Sequence, residues 1–164
     1  MKHPKRTVRL EPIDKALNVV GVIGLVLLLA LPTYYYPSLP DTIPRHFDAA
    51  GQPDAYSSKE IIWMLPAIGT LLFLGLQWLC RYPHTFNYNV PITEQNAEAQ
   101  YRIATRMVRS LAAVITFTFA YIAYATIQVA LGAQQGLGGF FTPVFLVVLF
   151  GVIGYFIWRS WRAA

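Results

Sequence analysis

The chain has 164 residues, 55% of them hydrophobic and 13% charged, with a mean hydropathy of +0.44 and a net charge of +5. It is too apolar and too poor in charge for an ordinary soluble domain, and the placement of its bases excludes a nucleic-acid-binding face. A single cysteine, Cys80, excludes an internal disulfide and reads as an inert thiol.

In chain order, residues 1–15 form a basic, proline-containing tail expected to lie on anionic headgroups. Charge then vanishes from Ala16 to Pro40, from Ile61 to Cys80 and from Ser110 to Trp158. The last interval, about 74 Å if helical throughout, is long enough to cross a roughly 30 Å hydrocarbon core twice. Four spans follow, at 16–36, 61–80, 110–131 and 141–158. The fold expected is all-α: a polytopic membrane protein, one integral domain over 1–164, built as a four-transmembrane-helix bundle with a structured extracytoplasmic cap loop at 37–60. A basic region before an apolar one also opens a signal peptide, but no small-x-small cleavage site follows, so the first segment is kept as a span.

Eleven of the thirteen Lys and Arg fall before the first span, between the second and third, or after the fourth; only Arg45 and Lys59 fall on the other side. By the positive-inside rule both termini are cytoplasmic and the cap faces outward, together with the uncharged turn at Gly132 to Gly139. Close helix contact is expected at Gly21 with Gly24, Gly69 with Gly75, and Gly151 with Gly154. Ser57-Ser58-Lys59-Glu60 reads as a capping box that starts the second span. Residues 81–109 form a cytoplasmic connector, extended through Pro83 and Pro91. An amphipathic helix follows, N-capped by Thr93, with Glu94 and Glu98 at its positive end and Arg102, Arg106 and Arg109 on one face. Those arginines are expected to meet lipid phosphates, or alternatively a regulator. In the third span Phe117, Tyr121, Tyr124 and Gln128 share a polar face expected to point into the bundle, either zipping helices together or lining a cavity.

The titratable chemistry sits in the cap. Pro40, Pro44 and Pro53 each fix their own φ, Asp48 and Asp54 are suited to closing turns, and Gly51 is suited to a left-handed conformation, so the loop is expected to be compact. His46 and Asp48 are two apart, on the same side of an extended segment, and a turn at Gly51 brings Asp54 back towards them. One histidine and two carboxylates suit a divalent ion with open positions, although repeated ligand spacing is missing. The alternatives are structural, with Lys59 paired to Asp48 or Asp54, or a recognition surface. In the last, Phe47 and Tyr56 supply apolar anchors and His46, with a reference pKa of about 6.5, responds to external acidity.

Ile43-Pro44-x-His46, then Gly51, Asp54, Tyr56 and Lys59, resembles the signature of a small bacterial membrane family, the domain of unknown function 1648. Phe86-Asn87-Tyr88, then Ile92-Thr93-Glu94-x-Asn96, is similar to the family's second motif. Asn89 stands where a proline is usual, and Asp48 where asparagine is frequent. The resemblance covers roughly Ala16 to Arg109 and extends to the N-terminal part of SdpI-type immunity proteins, which protect a producer from its own membrane-active toxin and signal to a repressor. It implies a non-enzymatic protein of the bacterial inner membrane, without cofactor, whose cap meets an extracytoplasmic peptide or lipid. A cytoplasmic regulator and a second copy of the chain are the other partners expected besides the bilayer. The chain stops after four spans, so the C-terminal membrane domain of full immunity proteins is expected to be missing. The competing expectations are a small transporter component, using Tyr121, Tyr124 and Gln128, and a metal-binding membrane enzyme, using His46, Asp48 and Asp54.

Overall fold

The structure, a computed structural model, describes residues 3–164; Lys2, counted above with the basic tail, lies outside the described residues. The elements are α1 (Pro12–Tyr35), strands β1 (Thr42–Phe47) and β2 (Pro53–Ser58), α2 (Met64–Leu79), α3 (Ala97–Ala130) and α4 (Phe141–Arg162). Four helical stretches are long and apolar enough to cross a membrane, the second beginning in a 3-10 turn at Lys59–Trp63 that leads into α2. The chain is thus a multi-pass membrane protein, and its bundle has a hairpin end and a basic end.

The first helix starts four residues before the expected span. Pro12 occupies the first turn, where its missing N–H costs nothing, and the Asp14 carboxylate accepts the Glu11 N–H at 2.8 Å. Along α3, small buried residues form the contact face: Ala112, Thr116, Ala120 and Ala123. This face meets Gly24 of α1 so closely that an added Cβ would lie 2.4 Å from Thr116 Oγ1. Gly21 and Gly69 are likewise filled in by Phe73 and Leu28, as expected; Gly75, Gly151 and Gly154 face open space and are not packing sites. α1 and α3 make the most extensive helix pairing. α4 is the least embedded, with Ser160 its only buried residue, held by exchanging two hydrogen bonds with the buried amide of Gln100.

The amphipathic connector helix and the third span are one continuous helix, α3, about 51 Å long at 1.5 Å per residue. It begins at Ala97, one turn after the expected Thr93, because Thr93 and Asn96 close a turn of their own, each side chain accepting the other's N–H. The capping box at Ser57 to Glu60 does not form: both serines belong to β2, and no side chain caps the 3-10 turn.

Arg102 and Arg106 do not reach out to lipid. Both bind Glu11, and Arg106 Nε also donates to Asp14 at 2.9 Å, so these two charges of the basic helix face are neutralised by the start of α1. The tail is folded back on the same surface: Tyr101 donates to the Pro4 carbonyl at 2.7 Å, and Arg6 pairs with Glu94.

Candidate functional site

The cap is a β-hairpin and not an irregular loop. β1 and β2 pair antiparallel, Thr42 opposite Ser58 and Phe47 opposite Pro53, with register shifts on both sides of His46. Those shifts leave Arg45 on β1 and Asp54 on β2 without cross-strand partners. Such bulges re-aim side chains: His46 Nδ1 lies 2.7 Å from Asp54 Oδ1, on the exposed face. The turn at Gly51, φ +78°, returns Asp54 as expected. Asp48 does not join the pair. It closes the turn instead, its carboxylate accepting the Gln52 N–H at 2.8 Å, and no group of three His, Cys, Asp or Glu converges among the described residues. The expected three-ligand arrangement is therefore not assembled. Lys59 pairs with Asp41 at 3.3 Å, in place of Asp48 or Asp54, and lies over the ring of Tyr36.

The hairpin root is fixed by Ile43, fully buried with Leu39, Ile62 and Ile127, while Pro44 is buried beside it. The tip is fixed by the turn between α3 and α4. Leu137 N–H donates to the Gly51 carbonyl at 2.8 Å, and Thr142 Oγ1 reaches the Ala49 carbonyl. Tyr121 supports that turn from below, donating to the Leu137 carbonyl at 2.8 Å and stacking on Phe141. Tyr121 is 40% exposed and Phe117 39%. Phe117 and Tyr121 thus stand at the edge facing α4 instead of in the interior, Phe117 also packing against Gly24 of α1; Tyr124 and Gln128 are half-buried. Tyr121→Phe is expected to cost about 1 kcal/mol through the lost hydrogen bond, read as a lower melting temperature in detergent micelles.

Held at root and tip, the hairpin roofs a hollow of about 370 Å³. Its floor is apolar, with Ile61, Met64, Leu65, Ile122 and Phe141, and its rim is polar, with Arg45, His46, Asp48 and Thr142. A second hollow, about 460 Å³, shares Arg45, His46, Ile61 and Met64 and adds Asp54. The His46–Asp54 pair stands at their common edge, while Tyr56 lies exposed on the neighbouring strand. Arg45 was missed as a site residue; its position follows from a bulge, which pairing chemistry alone does not reveal.

The second motif is at the opposite end. Tyr88 donates to the Pro83 carbonyl at 2.8 Å and packs against Tyr101, and burial pushes its phenol well above the usual range. Asn96 ties Thr93 to the Pro91 carbonyl, Glu94 holds Arg6, and Asn87 lines a small hollow of about 40 Å³ beside Ser160. The two motifs thus occupy opposite ends of the bundle.

Residues 23–70 match the family described as domain of unknown function (DUF1648). An uncharacterized protein of Archaeoglobus fulgidus is 43% identical over 54 residues, a stretch that takes in 33% of this chain and 30% of that protein. No solved structure matches the chain.

Proposed function

We propose, from the match of residues 23–70 to the DUF1648 family, a non-enzymatic bacterial inner-membrane protein of the SdpI-type immunity or envelope-signalling kind, whose outward hairpin recognises an amphipathic peptide or lipid. The observation that carries this reading is the hollow beneath the hairpin. An apolar floor continuous with the spans suits a hydrophobic side chain or acyl segment, and the charged rim suits the polar part of the same molecule. A metal-dependent or nucleophilic mechanism finds less support, because the polar groups are dispersed along the rim. The distribution of bases favours the hairpin outside the cell and both termini inside, which reporter fusions near Ala50 test directly.

His46→Ala and Asp54→Ala each remove half of an exposed pair, so the fold should tolerate them, with a stability change of about 1 kcal/mol or less. If the rim recognises the ligand, each is expected to weaken binding about tenfold, or about 1.4 kcal/mol. Cells producing either variant should lose protection against membrane-active peptides at unchanged protein level. Full protection by both variants would refute the assignment of this rim.

A further inference from the structure

We propose that the basic end of the bundle holds a second site, a hollow between α1, α2 and α3 that takes the phosphate of an acidic phospholipid. The hollow measures about 510 Å³ and is lined by Asn18, Gln77, Cys80, Arg81 and Arg109, with Val8, Leu10, Val22 and Phe73 among its apolar walls. It shares no residue with the hairpin hollows and is independent of the function proposed for them.

Arg109 carries the argument. It is only 8% exposed, and its Nε has no hydrogen-bond partner among the described residues. Its guanidinium takes part in none of the ion pairs found among those residues. A guanidinium keeps its charge under all ordinary conditions, and burying it without an anion is strongly unfavourable. The nearby network does not relieve it: Asp14 is occupied by Arg106 and the Glu11 N–H, and Glu11 by Arg102 and Arg106. An anion from outside the chain would supply the missing partner. Arg81 adds a second positive charge to the wall. Gln77 Nε2 donates to Asn18 Oδ1 at 3.1 Å, which leaves the Asn18 amide N–H groups for an incoming oxygen.

A phosphate suits two guanidinium groups and an amide, since planar guanidinium forks bind tetrahedral oxyanions through paired hydrogen bonds. The depth favours a lipid as its source. Arg109 lies where α3 passes from its charged third into its uncharged stretch, at headgroup level, and the apolar walls suit glycerol and upper acyl carbons.

Cys80, the chain's only cysteine, lines the hollow but is buried with its Sγ donating to the Thr105 carbonyl at 3.7 Å; a Cys80→Ser, Leu10→Cys background puts a thiol at an exposed position on the wall of the same hollow, where alkylation by N-ethylmaleimide reports occupancy. The full chain in detergent would be labelled at fixed pH with short-chain phosphatidylglycerol, short-chain phosphatidylcholine, inorganic phosphate or no addition, and each rate compared with the same variant's unliganded rate. Phosphatidylglycerol is expected to slow labelling saturably and phosphatidylcholine not to. Arg109→Gln and Arg81→Gln should each raise the half-protecting concentration about tenfold or more, and Arg45→Gln, at the hairpin end, should leave it unchanged. Arg81 is exposed, so its variant decides the matter if Arg109→Gln fails to fold. Saturable protection by inorganic phosphate alone, lost in the same variants, would support the phosphate chemistry and assign it to free phosphate. Equal protection by phosphatidylcholine, no protection by any addition, or undiminished protection in the arginine variants would overturn the proposal.

Discussion

Arg106→Ala is expected to destabilise the bundle by about 3–5 kcal/mol, the cost of leaving a buried charge without its partner. The charge in question is Asp14, 1% exposed, whose carboxylate otherwise keeps only the Glu11 N–H. The exposed Arg6–Glu94 pair makes the contrast, because solvent screens it; Glu94→Gln should leave stability essentially unchanged. The effect of Arg106→Ala belongs to the unpaired carboxylate and not to attraction as such. Arg106→Leu combined with Asp14→Leu should therefore recover most of the loss, since apolar replacement of a whole buried pair is often close to neutral. Denaturant unfolding in mixed micelles, followed by tryptophan fluorescence, measures all three variants. Arg106→Ala within about 1 kcal/mol of wild type would show that the network contributes little.

Gly136→Ala is expected to detach the hairpin tip while leaving the spans in place. A Cβ at that position would lie 2.2 Å from the Gly51 carbonyl oxygen, and the obstacle is backbone that no rotamer change relieves. The tip must withdraw by roughly 1 Å to restore ordinary contact, which breaks the Leu137 N–H to Gly51 bond and uncovers Leu137. The expected cost is about 1–3 kcal/mol, and the hollow beneath the hairpin loses its roof. Hydrogen exchange should rise at Leu137 and Gly51 and stay unchanged in α1 and at the paired strand residue Ile43. Unaltered exchange at the tip would show that the two outer turns are not interdependent.

The spans were legible because hydrocarbon admits few charges, so uninterrupted apolar runs report themselves. The hairpin was less so. Three prolines in the segment obscured a strand pattern, and the two bulges break the alternation by which strands are read from sequence. Gly51 and Asp54 were placed correctly in relation to each other because turn chemistry is local. Lys59 was assigned the wrong acid because Asp41 becomes its neighbour only when the strands pair. The inward orientation expected for Tyr121 failed because its partners lie on the α4 side: the hydroxyl donates to the Leu137 carbonyl and the ring stacks on Phe141, while Thr116 and the Phe117 and Phe73 rings already fill the space beside Gly24 and Gly21. The docking of Arg102 and Arg106 on α1 spans roughly ninety residues of sequence, beyond the reach of periodicity.

The long α3 separates two kinds of rigidity. Its thirty-four residues contain neither glycine nor proline, whereas α1, α2 and α4 each contain both. It is the mast of the molecule, stepped among carboxylates at one end and steadying the hairpin's socket at the other. A kink from an interior proline is open to α1, at Pro32, and not to α3, so the axis joining the two ends of the molecule has no built-in hinge.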